Sequence, residues 1–254
     1  MPRYALKLEY DGTDFVGWQR QPEGLLSVQQ VLEEAAAPLN RGEVPLATAA
    51  GRTDAGVHAE GQVADLLLAA DLPPERVREA INARTAPRPV VAVACARVAD
   101  DWSARFDCIG RGYIYRIANR PARPAIEAGR LWHIKRRLDA EAMHAAAQGL
   151  LGRHDFSAFR AASCQAKSAL RTLDRLDVAR FGEEVVITAE ARSFLHHQVR
   201  NLVGTLVEVG FGRRPVTWPR QLLDGRDRGQ SGQTAPPDGL VFRFARYDPE
   251  PDWV

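Results

Sequence analysis

The sequence predicts an α+β protein made of two ferredoxin-like halves, residues 1–100 and 101–254, with antiparallel sheets. Three observations carry this. Residues 3–97 read in the order β-α-β-β-α-β, the split pattern of a ferredoxin-like unit. The second half largely repeats that order behind one extra strand, without a detectable sequence repeat. The chain has 254 residues, enough for one large domain or two modest ones, each able to bury a core.

The elements follow from periodicity. Arg3–Tyr10 alternates, with Tyr4, Leu6, Leu8 and Tyr10 on one face, and reads as a strand ended by Asp11-Gly12. Ser27 and Gln30 form a capping box, and Val28, Val31, Leu32, Ala35, Ala36 and Leu39 then recur at helical spacing, predicting a helix over 28–39. Strands are expected over 44–50, 62–68 and 90–97, with a proline-started helix from Pro73-Pro74 to about Arg84. After a junction near residues 98–110, strands are expected over 112–117 and 131–134 and a helix over 139–151. A hairpin over 171–191 turns at Phe181-Gly182-Glu183. Helices over 194–209 and 219–223 and a strand over 240–247 close the chain. Residues 225–238, rich in Gly, Gln, Arg and Pro, read as the most flexible loop.

Composition excludes several classes. With 45% hydrophobic and 26% charged residues the chain is an ordinary soluble globular protein. Cys95, Cys108 and Cys164 are odd in number and far apart, so neither a disulfide framework nor a zinc site is expected. The N-terminus lacks the apolar core of a signal peptide, and no apolar run approaches the ~20 residues of a membrane helix. A cytoplasmic protein is expected. The net charge of +2 says little, but its distribution says more. Between residues 105 and 137 stand Arg105, Arg111, Arg116, Arg120, Arg123, Arg130, Lys135, Arg136 and Arg137, against Asp107 and Glu127, with Tyr113, Tyr115 and Trp132 among them. Basic groups interleaved with aromatics suit a phosphate backbone with unstacked bases. A solvated basic face is the alternative.

The stretch of greatest chemical interest is Gly51-Arg52-Thr53-Asp54-Ala55-Gly56-Val57-His58-Ala59. Its glycines permit sharp turns on both sides of Asp54. In an extended segment Arg52 and Asp54 share a face, and an arginine beside a carboxylate favours the charged form. Such a group suits a nucleophile or base; a surface turn with an ion pair is the plain alternative.

The string Gly51–His58 resembles the signature of the TruA family of tRNA pseudouridine synthases. Leu8–Thr13 with Gly17–Gln21, Ser103–Phe106, Phe156–Arg160 and His196–Gly204 stand in the same order as in that family, so the resemblance spans nearly the whole chain. It implies two α+β halves with an active-site cleft between them. It further implies isomerisation of uridine to pseudouridine in the anticodon arm of tRNA, at positions 38 to 40, without cofactor or metal, by a homodimer.

By resemblance, Asp54 is the essential carboxylate, attacking the sugar at C1′ or removing its 2′ proton. Arg52 helps flip or hold the nucleotide, Tyr113 stacks on the base, and Arg200 pairs with Asp54. Arg111 stands in the family's Arg-Arg-Tyr-x-Tyr segment, where Gly112 replaces the second arginine. Helical spacing would put His196 and Arg200 on one face. His58 could brace the loop or contact phosphate; Asp11–Asp14 with Gly17–Gln21 could position RNA or simply end a strand and pack Trp18. Three other readings compete. Leu8–Thr13 resembles the Asp-x-Asp-Gly-Thr motif of aspartyl-phosphate phosphatases, but Glu9 holds the nucleophile's place and no α/β alternation follows. A non-catalytic RNA-binding module on the same frame is the second, and a pseudouridine synthase with other targets, such as ribosomal RNA, is the third.

Overall fold

The computed structural model describes residues 1–22 and 24–254. The chain forms two compact units, Met1–Arg111 with Val241–Val254, and Gly112–Leu240. Both mix helices with largely antiparallel strands, the α+β class that the element order predicts.

In the first unit β1 (Arg3–Tyr10) lies between β3 (His58–Leu67) and β4 (Val90–Val98), antiparallel to both. Tyr4, Leu6 and Leu8 are fully buried, as their alternation requires. The far edge of β3 is shared. β2 (Thr48–Ala49) pairs with its Ala64–Asp65 end, and β10 (Leu240–Arg246) runs parallel to its start, Val241 opposite His58. Helix α1 (Val28–Ala36) starts at the predicted cap, where the Ser27 hydroxyl accepts from the Gln30 amide at 3.2 Å. Pro38 then stands in a 3₁₀ turn, Ala37–Asn40, so the helix ends before residue 39. Helix α2 (Pro74–Thr85) buries Val77 and Ile81.

The strand expected over 44–50 shrinks to two residues. Val44 and Leu46 are exposed, and the amide of Ala47 donates to the buried Glu33 carboxylate at 2.9 Å rather than to a strand. Gln29 and Arg20 bond the same carboxylate. A side chain from α1 thus takes the ladder's place.

The second unit continues from β5 (Gly110–Ala118), whose first two residues belong to the first unit. It contains β6 (Trp132–His133), α3 (Ala140–Gln148), β7 (Gly152–Asp155), β8 (Leu170–Phe181), β9 (Glu184–Ala191), α4 (Gln198–Gly210) and α5 (Trp218–Gly225). Its sheet runs β5-β9-β8-β7, with β6 parallel to the end of β5. β7 was not expected: Gly-Arg-His-Asp carries no apolar alternation, and its pairing with β8 is what makes it a strand.

Two expectations fail here for identifiable reasons. The helix predicted from residue 194 begins at Gln198. His197 has a left-handed backbone (φ 60°), and the Gln198 side chain accepts from the Leu195 amide at 2.8 Å, closing a turn ahead of the helix. His196 therefore precedes the helix and does not share a helical face with Arg200. The segment 225–238 is not a loose loop. Arg228 donates to Ser231, Gly232, Asn201 and Thr234, and Gly232 donates to the Thr205 hydroxyl. The segment is thereby bonded along α4.

No helix among the described residues is long and apolar enough to cross a membrane.

Candidate active site

The Gly51–Val57 loop follows β2 and leads into β3, and its backbone is fixed at almost every step. The Ala50 carbonyl accepts two bonds from the Arg111 guanidinium, at 2.8 and 2.6 Å. The Gly51 carbonyl accepts from Gln62 Nε2 at 2.7 Å. The Thr53 carbonyl accepts from the Trp18 amide at 3.0 Å, and its hydroxyl meets the Tyr10 phenol at 2.8 Å. The Asp54 carbonyl accepts from the Val57 amide at 3.2 Å, closing the turn around Ala55-Gly56. Buried backbone groups cost free energy unless paired, so this pairing makes one loop conformation strongly preferred.

Arg52 lies between two of these fixed points and is exposed; Asp54 is half-buried. The carboxylate is thus carried on a rigidly bonded turn while its neighbour reaches solvent. Tyr10, fully buried beneath, has its pKa pushed up to about 12 by burial, with its bonds to Thr53 and Gln62 opposing. It stays a neutral phenol at any ordinary pH.

A second loop, Asp11–Trp18, lies directly on the first. A Cβ on Gly12 would fall 2.1 Å from the Val57 carbonyl oxygen. Gly17, at φ +108°, would put one 2.7 Å from the Thr53 oxygen. Both positions need glycine, for close approach at one and for approach and backbone sign at the other. The Phe15 carbonyl accepts from the Gly56 amide at 3.3 Å. Of the two roles open to the Asp11–Gln21 motif, the structure displays packing: Trp18 is buried, and the loop buttresses the Asp54 turn.

His58 belongs to the same buttress. It is buried; its Nδ1 accepts from the Gly12 amide at 3.0 Å and lies 3.1 Å from an Asp11 carboxylate oxygen. Arg111 is buried too, its guanidinium also donating to the Arg105 carbonyl at 3.0 Å. Gln62 escaped the reading of the sequence altogether. Its one signal was a polar residue amid the apolar run of β3.

The second unit carries the other two candidates. Tyr113, on β5, is buried and meets Phe194 edge to face at 5.2 Å. Arg200, in the first turn of α4, donates from Nε to the Ala235 carbonyl at 2.8 Å, and its own carbonyl accepts from the Ala235 amide at 3.1 Å. The bonded 225–238 segment thereby orients the guanidinium. His196, ahead of the helix, lies 3.3 Å from the Ser163 hydroxyl.

The first unit thus presents one preorganised carboxylate on a braced loop, beside an exposed arginine. Such a group can attack or deprotonate a carbon centre when substrate is held against it. These features define an α+β protein with a site for carboxylate chemistry. Comparison with known proteins makes the class specific. The family model described as tRNA pseudouridine synthase matches residues 7–107 and 146–248. A tRNA pseudouridine synthase A from Acidiphilium cryptum is 60% identical over 252 residues, covering 99% of this chain and 98% of its own. Proteins of the same name from Rhodospirillum centenum and Zymomonas mobilis are 55% and 50% identical, each over 97% of this chain and the whole of theirs. The chain belongs to the tRNA pseudouridine synthase family.

Proposed function

We propose that the chain isomerises uridine to pseudouridine at positions 38 to 40 of the tRNA anticodon stem-loop, with Asp54 as its essential carboxylate. The observation that carries this is the braced Gly51–Val57 loop, in a chain that matches relatives named tRNA pseudouridine synthase A over nearly its full length. In this reaction the bond from N1 to C1′ breaks, the base turns, and C5 bonds to C1′. The proton lost from C5 is balanced by one gained at N1, so no oxidant, cofactor or metal is required. An ionised carboxylate can start it either by attack at C1′ or by removal of the 2′ proton.

The other roles follow the family resemblance. Arg52, exposed beside the turn, holds the flipped nucleotide, since a base must leave its stack to be reached. Tyr113 stacks on the base, and Arg200 keeps the Asp54 carboxylate charged. Arg111, expected from the family's basic segment to bind substrate, and His58, expected to brace the loop or contact phosphate, act through the loop they brace. Support for ferredoxin-like halves comes from the first unit, where β4, β1, β3 and β2 adjoin in the order of that fold. The enzyme acts in the cytoplasm as a homodimer, a state that light scattering on the purified protein tests.

The deciding experiment is tritium release from tRNA labelled at uridine C5. Asp54→Ala and Asp54→Asn should each lower release by about a thousandfold or more, roughly 4 kcal/mol of transition-state stabilisation, while tRNA binding survives. Turnover retained in a folded variant would remove Asp54 from its role. Tight tRNA binding without release by the unaltered protein would favour the non-catalytic RNA-binding reading.

A further inference from the structure

The basic segment 105–137 does not act as one surface. Arg111 is spent on backbone carbonyls. Arg116 is held between Glu127 and Glu184 at 2.9 and 2.7 Å, and Arg120 pairs with Glu183 at 3.1 Å. Its last three residues, Lys135, Arg136 and Arg137, are exposed.

The fold joins them to a second basic pair far along the chain. The amide of Asp139 donates to the Gly210 carbonyl at 2.9 Å, fastening this segment to the C-terminal end of α4. Arg136 donates to the Phe211 carbonyl at 2.9 Å, and its guanidinium lies 5.5 Å from the Phe211 ring centre. Arg213 lies 4.5 Å from the same ring, and Arg214 5.0 Å from the Trp218 ring. Such cation–aromatic contacts restrain the guanidinium groups at the surface. Arg180 adds to the crowding: burial and then the Arg137 charge lower its pKa. Among the described residues, carboxylates oppose the group at Glu208, paired with Arg213 at 3.0 Å, and at Asp139, whose oxygen caps α3.

We infer that Lys135, Arg136, Arg137, Arg213 and Arg214 form a docking face for the tRNA sugar-phosphate backbone, outside the loop that carries the reacting uridine. The placement follows from α4. Arg200 stands in its first turn and Phe211–Arg214 follow its last residue, so at 1.5 Å per residue the face lies roughly 15–20 Å along the axis from Arg200. A target loop engaged at Arg200 would have its stem, several nucleotides on, within reach. Exposed arginines and a lysine without a matching run of carboxylates suit phosphate, and arginine forks match its oxygens. This rests on the proposed tRNA substrate.

The test is the triple variant Lys135→Gln, Arg137→Gln, Arg214→Gln, which leaves the Arg136–Phe211–Arg213 packing intact. Its KM for full-length tRNA should rise about tenfold or more with kcat within about twofold. The dependence of log affinity on log salt should lose about two to three contacts' worth of slope. A hairpin of the anticodon arm, which contains that stem, should lose affinity in parallel, and the loop sequence without its stem far less. Affinity is also measured directly on an Asp54→Ala background, so the result stands whether or not the unaltered protein releases tritium. Unchanged affinity and salt slope would overturn the inference and leave a solvated basic face. A loss confined to full-length tRNA, with the hairpin unaffected, would overturn its location. Loss of binding to vesicles of anionic lipid, with tRNA affinity unchanged, would assign the face to a membrane surface instead.

Discussion

Gln62 shows how a single side chain can set the position of a carboxylate eight residues away. Its amide donates to the Gly51 carbonyl and lies 3.4 Å from both the Gly51 amide and the Tyr10 hydroxyl; Gln62 and Tyr10 are buried and Gly51 is half-buried. Replacing it by leucine preserves bulk but leaves a half-buried carbonyl without its donor, a loss of about 1–3 kcal/mol. Gln62→Leu should therefore lower stability by that amount in denaturant titrations. It should also reduce kcat more than it raises KM, because the Asp54 turn loses its anchor and reacting groups tolerate little misplacement. An unchanged kcat in the folded variant would mean that the remaining bonds suffice. The Gly51–His58 signature itself was legible from its residue types. Its anchors were not, because each joins a side chain to a backbone atom: Gln62 to Gly51, and Arg111 to Ala50, 61 residues earlier. A basic residue followed by tyrosines reads as an RNA contact until its carbonyl partners are seen.

At the scale of elements, the same ambiguity governs the stretch that follows α5. Glycine signals either freedom or close approach, and composition does not distinguish them. At Gly232, within residues 225–238, close approach prevails. A Cβ on Gly232 would fall 2.7 Å from the Thr205 Cα, and one on Gly204, within α4, would fall 1.8 Å from the Gln233 carbonyl oxygen. Glycine to alanine inside a helix ordinarily gains about 1 kcal/mol. At Gly204 the sign should reverse. We expect Gly204→Ala to cost about 2–4 kcal/mol and to speed amide hydrogen exchange across residues 228–235; a stabilised protein would show that the segment is not packed on the helix. Activity should fall with it, since Ala235 fixes the Arg200 guanidinium. Where a local signal was strong, as in the alternation of β1, the proline start of α2 and the turn of the β8–β9 hairpin, elements appear within a few residues of expectation. Where a side chain replaces a ladder bond, as Glu33 does at Ala47, or an αL residue delays a helix, as His197 does, periodicity misleads because it reports burial and not backbone pairing.

Across the whole molecule, buried phenols set an alkaline limit on stability. Tyr10 and Tyr247 lie in the first unit and Tyr115 in the second, and burial raises the pKa of all three. For Tyr115 the Arg200 charge opposes the shift and Asp238 adds to it; for Tyr247 the neighbouring Cys108 adds to it. The hydroxyls of these two donate to the carbonyls of Pro236 and Ala104 at 2.8 and 2.7 Å, bonds that a phenolate cannot make. The linkage has a definite sign. An acid whose folded pKa lies above its unfolded value binds its proton more tightly in the native state, so its contribution is complete below the unfolded pKa and disappears as pH rises through the folded one. For Tyr10 that window runs from the ordinary value of 10.0 to about 12, and a shift of this size corresponds to roughly 3 kcal/mol. Stability should be flat below pH 10 on this account and fall steeply above it, with the phenolate absorbance of these tyrosines rising together with the loss of circular dichroism. Tyr10→Phe should make the alkaline slope shallower although it forfeits the bond to Thr53. Phenolate absorbance that develops fully before any unfolding would contradict the buried setting of these rings. Comparing the double variant Tyr10→Phe, Tyr247→Phe with Tyr115→Phe then shows which unit yields first to alkali, because each removes the linkage of these buried phenols from one of them.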